Sequence, residues 1–346
     1  MATKWIILSI IISCVVTYFS GRKLIPYLHK LKFGQTILNI GPSWHKNKQG
    51  TPTMGGIMFI FGIFVASIIC LPLYYNETKG ILMDFIETPT MTLKLIAGLI
   101  MALGFGGIGF LDDYIKVVKK QNLGLKARQK LLLQFIVAKG YLFLIYISET
   151  SYDSSFIGGT VIPFFGRVNI PGILYWPGSA VLIVGMVNAV NLTDGIDGLD
   201  TSLTFFYGFF SLIISGIMFY PGLSIISAAL MGGCLGFLFW NRHPAKVFMG
   251  DTGSLFLGGM ICAIAFTLDM PILIITIGFV YILEMFSVML QVIYFKLTHG
   301  KRLFKMSPIH HHFEMCSWSE TKICITFCLA LIFCGMISVL AVLWGI

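Results

Sequence analysis

The sequence predicts an all-α integral membrane protein: a bundle of about ten transmembrane helices in a single polytopic domain over residues 1–346. Three observations predict it. The 346 residues are 57% hydrophobic and only 11% charged, whereas a soluble domain carries about 25% charged residues. Mean hydropathy is +0.87. Apolar runs long enough to cross a bilayer recur along the whole chain, and helices satisfy their own backbone polar groups in lipid.

The runs are Trp5–Phe19, Gly55–Tyr75, Met91–Leu111, Leu131–Ile147, Trp176–Leu192, Leu203–Phe219, Leu223–Trp240, Gly253–Leu268, Pro271–Phe295 and Lys322–Trp344. The first is led by Lys4 alone and followed by Gly21-Arg22-Lys23, which reads as a retained helix and not a cleaved signal. Of the 24 Lys and Arg, 19 fall in the odd-numbered loops and their flanking helix ends. Positive charge stays inside, so both termini are expected outside and the odd-numbered loops in the cytoplasm. The net charge of +9 is then a topology signal and a match for anionic partners, with nothing that suggests nucleic acid. The eight cysteines lie mostly within apolar runs and include no CxxC, so they read as packing residues. Between the fourth and fifth runs, the strips 158–163 and 168–172 are expected to form a short outer hairpin.

The few acids carry the functional signal. Of 15 Asp and Glu, six sit at the ends of apolar runs that the topology places on one membrane face: Asp112, Asp113, Asp194, Asp197, Asp200 and Asp251. Carboxylates crowded there need hydration, cations or a metal. Asp112 and Asp113 are adjacent, and Lys116 is one helical turn away from both. Asn188, Asn191, Asp194 and Asp197 recur every three residues, neighbours on a helix or a 3₁₀ turn. Their loop holds no Lys or Arg, which is more acid than a helix cap requires, and its spacing is wrong for an EF-hand. Asp251 opens an apolar helix between two glycines, as an N-cap or at a helix start that attracts phosphate. Arg242, His243 and Lys246 precede it. His310, His311 and His312 are consecutive, so they cannot all point one way; one or two are candidates for phosphate or metal, and the rest pack. The basic run around Lys48 leads into Thr53 and a glycine-bearing helix start. Glu284 and Lys139 lie deep in apolar runs; Glu284 reads equally as a functional group or a structural hydrogen bond, and Lys139 as a snorkelling side chain.

Five stretches carry a resemblance over essentially the whole chain: TPTMGG (51–56), FLDDYIK (110–116), NAVNLTDGIDGLD (188–200), FMGDTGSL (248–255) and PIHHHFE (308–314). Together the chain resembles the phospho-N-acetylmuramoyl-pentapeptide transferase family. The acidic stretches are shared with the wider polyprenyl-phosphate sugar-1-phosphate transferases, while the first and last look specific to this branch. The resemblance implies transfer of phospho-MurNAc-pentapeptide from UDP-MurNAc-pentapeptide to undecaprenyl phosphate, giving lipid I and UMP with Mg²⁺. The setting it implies is the bacterial cytoplasmic membrane, among membrane lipid, with a homodimer as the expected assembly. By position it implies Asp251 as metal ligand, Asp112 and Asp113 beside the lipid phosphate, and Lys48 on the diphosphate. It also implies Thr53, Lys116, Asn188, Asn191, Asp194, Asp197, Asn241, Phe248, Gln291 and His310–His312 around the substrates. The alternatives are a sister enzyme using UDP-GlcNAc and a secondary transporter, which would place its acids near the bilayer midplane.

Overall fold

The structure, a computed structural model, describes residues 2–30, 48, 50–78, 89–118, 124–152 and 157–346. Lys32, Lys46, Lys79, Lys119 and Lys120, which entered the charge reading, lie outside the described residues.

In chain order the elements are α1 (Ala2–Lys30), α2 (Gly56–Thr78), α3 (Pro89–Val118), α4 (Ala127–Tyr152), β1 (Gly159–Ile162) and β2 (Gly166–Asn169). Then come α5 (Gly172–Thr193), α6 (Leu199–Ile217), α7 (Pro221–Asn241), α8 (Gly250–Thr267), α9 (Ile272–Thr276), α10 (Phe279–Leu297), α11 (Ile309–Glu314) and α12 (Glu320–Gly345). Among the described residues, 10 helices are long and apolar enough to cross a membrane. The chain is therefore an all-α membrane protein by architecture. The expected hairpin is present, β1 pairing antiparallel with β2 from Gly159 opposite Asn169 to Ile162 opposite Gly166.

Helix α8 is the axis of the bundle, buried from Thr252 to Thr267. Between helices in lipid the gain comes from close packing, and small residues permit it. Gly253 meets Gly56 of α2, Gly258 lies against Val187 of α5, and Gly259 lies against Ala102 of α3. At the other extreme, α1 and α12 present Ile7, Ile11, Phe19, Leu329 and Phe333 outward, as lipid-facing helices do.

Three expectations are corrected. The ninth run is not one continuous helix: it bends at Gly278 between α9 and α10, where a side chain would collide with the Ile274 carbonyl and Met186. The first helix is longer than its apolar run, because Arg22 keeps its guanidinium over the Tyr18 and Phe19 rings while the helix continues to Lys30. Asn188 and Asn191 share α5, but the helix ends at Thr193, so Asp194 and Asp197 lie in turns and not on one helical stripe. Lys139 is exposed on α4.

Chain direction separates two polar ends. The last turns of α3, the first turn of α4 and the first turn of α8 bring Asp112, Lys130 and Asp251 to one end. The start of α3, the end of α4 and the residue just beyond α8's C-cap bring Lys94, Glu149 and Asp269 to the other, where Lys94 lies 2.9 Å from Glu149 and 2.6 Å from Asp269. The hairpin is tied to that second end by the Val161 N–H donating to the Asp269 carbonyl at 2.7 Å.

Candidate active site

The first polar end is built around Asp251. The chain enters α8 through Gly250 at φ +71°, a left-handed conformation that favours glycine. A side chain there would also run into the Asp113 carboxylate and the Thr53 hydroxyl. Asp251 is not the N-cap expected from its position: Met249 holds that place and caps with no side-chain bond. The cap comes from another helix. The Asp113 carboxylate accepts the Thr252 N–H at 2.9 Å, the Thr252 hydroxyl at 2.7 Å and the Asp251 N–H at 3.3 Å. These are donors a helix start leaves unsatisfied. Asp113 thereby fixes the first turn of α8 against α3, and Gly109, one turn back on α3, lets the Asp251 carbonyl approach.

The Asp251 carboxylate faces two ammonium groups, Lys116 and Lys130, each at 3.0 Å. It also accepts from the Asn191 amide at 2.9 Å, and that amide bonds Ser254 at 2.8 Å. Lys116 bridges back to Asp112 at 2.6 Å, so the expected one-turn pairing forms and reaches further than expected, across to α8. Asp112 accepts the Leu125 N–H at 2.7 Å, which pins the segment before α4 over the cluster. Oxygens of Asp112, Asp113 and Asp251 lie within 4.8 Å of one another. Three carboxylates against two ammoniums leave an excess negative charge among hard oxygen donors, a set that suits a divalent cation such as Mg²⁺.

A second group forms beside it. The Lys48 ammonium lies 2.8 Å from Asp197 and 2.7 Å from Glu320 at the start of α12. The His243 Nδ1 is 3.1 Å from Asp197 and 3.6 Å from Glu320. Asp194 belongs electrostatically to both groups. Burial, then the carboxylates of Asp251, Asp113 and Asp197, pushes its carboxyl up to about 8, with Lys48 pulling the other way.

The remaining expected residues divide. Thr53 stands over Gly250. The strip 52–56 is laced to the strip before α8, with Gly55 N–H donating to the Phe248 carbonyl at 2.8 Å and Phe248 N–H to the Pro52 carbonyl at 2.9 Å. Asn188 is turned away from the acids and exchanges bonds with Gln134 of α4 at 2.7 and 3.3 Å. Asn241 is buried with its amide committed, accepting from Thr201 at 2.9 Å and donating to the Val247 carbonyl at 3.0 Å. The Gln291 side chain accepts the Leu303 and Phe304 N–H groups at 3.1 and 2.8 Å. The histidines diverge as three consecutive side chains must. His310 is buried 3.1 Å from Glu284 with its ring over Gly195, His311 pairs with Glu314 at 2.5 Å, and His312 accepts the Lys305 N–H at 3.1 Å. Asp200 is buried in the first turn of α6 and accepts from Thr204 at 3.3 Å.

Sequence reasoning missed three contributors: Lys130, His243 as a partner of Asp197, and Glu320. Lys130 and Glu320 each stand at the first turn of an apolar helix and read there as boundary residues.

Ammonium and carboxylate groups gathered around a metal-suited oxygen cluster at one end of a membrane bundle suit chemistry on anionic groups. A family model described as glycosyl transferase family 4 matches residues 95–269, and phospho-N-acetylmuramoyl-pentapeptide-transferase signature 1 matches residues 48–60, the strip from Lys48 into α2. Phospho-N-acetylmuramoyl-pentapeptide-transferase of Clostridium perfringens strain SM101 is 45% identical over 332 residues, covering 95% of this chain and 94% of the relative. That of Caldicellulosiruptor bescii is 44% identical over 330 residues, 95% of each. That of Caldanaerobacter subterraneus is 43% identical over 338 residues, 96% of this chain and 97% of the relative. The chain belongs to the phospho-N-acetylmuramoyl-pentapeptide-transferase family.

Proposed function

We propose that this chain transfers phospho-MurNAc-pentapeptide from UDP-MurNAc-pentapeptide to undecaprenyl phosphate, forming lipid I and UMP. The reaction would run at the cytoplasmic face of the bacterial plasma membrane. The observation that carries the reading is the convergence of Asp112, Asp113 and Asp251 on Lys116 and Lys130 at the bundle end that also holds Lys48. All six acids lie at helix ends or in the adjoining turns and not at mid-helix, which speaks for surface chemistry over ion-coupled transport.

Both substrates are anions, so their approach must be offset electrostatically. Mg²⁺, held by Asp251 and Asp112, would neutralise charge on the transferring diphosphate and the departing UMP. The Asp113 oxygens are committed to the α8 backbone, so Asp113 shapes the cluster. Lys116 and Lys130 hold Asp112 and Asp251 in place, and Lys48 supplies positive charge on the neighbouring side. The lipid phosphate oxygen forms a bond to the β-phosphorus as the bridging bond to the α-phosphate breaks, and UMP leaves with that electron pair. The attacking monoester has a second pKa near 6, so at neutral pH it is mostly dianionic. Asp112, salt-bridged and accepting an N–H, then orients the phosphate and need not take a proton. Incubation with UDP-MurNAc-pentapeptide alone is expected to release no UMP and to leave no phospho-MurNAc-pentapeptide on the protein; a trapped aspartyl ester of phospho-MurNAc-pentapeptide would replace direct displacement with a two-step route.

The test is UMP release by purified protein in detergent. Release is expected only with both undecaprenyl phosphate and Mg²⁺, and chelation with EDTA abolishes it reversibly. Release with UDP-GlcNAc in place of the pentapeptide donor would move the reading to a sister enzyme. A separate expectation concerns Lys130. Its ammonium competes with a cation for Asp251, so Lys130→Met should lower the Mg²⁺ midpoint while cutting turnover roughly 10-fold or more. A raised midpoint would contradict that competition.

A further inference from the structure

We infer that Glu320 is the positioning residue that sets Lys48 and the Asp197 turn for nucleotide-diphosphate binding. The inference rests on the transferase reading above. Glu320 lies outside the five stretches that carry the resemblance, at the first turn of the last membrane-spanning helix. Four observations converge on it. Its carboxylate takes the Lys48 ammonium at 2.7 Å. The same group accepts the backbone N–H of Asp197 at 3.0 Å. The His243 ring nitrogen is 3.6 Å away. The side chain is 9% exposed, so these partners and not water satisfy it.

The arrangement has a mechanical meaning. Lys48 lies in sequence between α1 and α2, and its four-carbon stem is intrinsically mobile. Asp197 sits in a turn between α5 and α6. Among the described residues, neither belongs to one of the long helices. Glu320 does, and its helix start is fixed in turn by Ser319, whose hydroxyl accepts the Lys322 N–H at 3.2 Å. A carboxylate is also favoured at a helix N-terminus by the backbone dipole. One carboxylate therefore binds a cation from one loop and an amide from another, fixing their separation before any substrate arrives. Pre-organised charge is worth more to an incoming anion than charge that must first be ordered.

Asp197 alone would not achieve this. It already accepts the Ala245 N–H at 2.9 Å and faces His243, so it shares its two oxygens among three donors with Lys48 included. Glu320 is the partner that holds Lys48 on its second side. The first carboxylate cluster has its own cations: among the described residues Lys48 pairs with Asp197 and Glu320, while Lys116 and Lys130 serve Asp112, Asp113 and Asp251. Loss of Glu320 should therefore weaken donor binding without altering the response to Mg²⁺.

The experiment is a double-mutant cycle on binding of UDP-MurNAc-pentapeptide to the full chain in detergent, read by calorimetry, with steady-state UMP release alongside. Glu320→Gln keeps an acceptor for the Asp197 N–H and removes the charge that holds Lys48. We expect Kd and KM for the donor to rise about 10-fold, with kcat within about twofold and the Mg²⁺ midpoint unchanged. In a Lys48→Met background, Glu320→Gln should add less than about twofold, because its target is already gone. A full additive loss in that background would reduce Glu320 to a structural residue and overturn the inference. So would an unchanged Kd in Glu320→Gln. Glu320→Asp, too short to reach both partners, should fall between wild type and Gln; it carries the same cycle if Gln does not fold. Failure of the wild-type chain to bind the donor at all would instead refute the transferase reading, which separates the two failures.

Discussion

Asp251→Asn is expected to lower UMP release by roughly 10³-fold, the scale of losing a preorganised electrostatic group at a phosphoryl centre. The substitution keeps the side chain's shape, and its carbonyl oxygen still accepts the Asn191 amide that reaches Asp251 at 2.9 Å. What it removes is the negative charge at which Lys116 and Lys130 meet, each at 3.0 Å. Two ammoniums then face one another across a neutral amide, and the oxygen set that would hold Mg²⁺ loses its central member. Asp251→Ala should do no worse than Asn, because charge and not volume is what the site lacks. Circular dichroism should show the helix content retained in Asn. Activity within about tenfold of wild type would remove Asp251 from the centre of the chemistry.

The second large effect is expected from a residue with no functional group. A methyl at Gly109 would overlap the Asp251 carbonyl, its carbon and the Thr252 nitrogen, all of them backbone. Backbone cannot rotate away as a side chain can, so Gly109→Ala must push α3 and α8 apart. Overpacking of this kind costs roughly 1–3 kcal/mol. The displacement falls on the Asp113 bonds to the first turn of α8, and a misplacement of about 1 Å can cost 10²-fold in rate. Gly109→Ala is therefore expected to lose about 100-fold in turnover with every charged group present. Gly107, two residues earlier on α3, has open space where its side chain would stand. Gly107→Ala is the control, and it should be neutral in both turnover and thermal midpoint. Equal losses in the two variants would mean that the α3–α8 approach does not set the outcome, because alanine improves helix propensity at both positions.

Much of this was legible in sequence. Apolar runs located the 10 spans, because bilayer thickness and backbone satisfaction leave few alternatives. The Asp112–Lys116 pairing followed from helical spacing. The bend at Gly278 was not legible, since an apolar run through it reads as one helix. Nor were the contacts that complete the site. Lys130 meets Asp251 across 121 residues of chain and Lys48 meets Glu320 across 272, separations at which spacing carries no information. The resemblance places Asp113 beside the lipid phosphate, and the structure adds that its oxygens accept the N–H groups of another helix. That role has no local signature, because the donors it satisfies belong to residues 251 and 252.

The cap that Asp113 supplies to α8 also orders events during synthesis. The third helix leaves the ribosome well before the eighth, and its carboxylates wait for a partner that has not been made. Until α8 arrives, Lys116 has only Asp112 and Asp113 to answer it, and no site exists at which a diphosphate could be transferred. Lys48, made earlier still, meets Glu320 only once α12 has been made. A chain truncated before α8 is therefore expected to release no UMP, because it lacks Asp251 and the helix start that Asp113 caps.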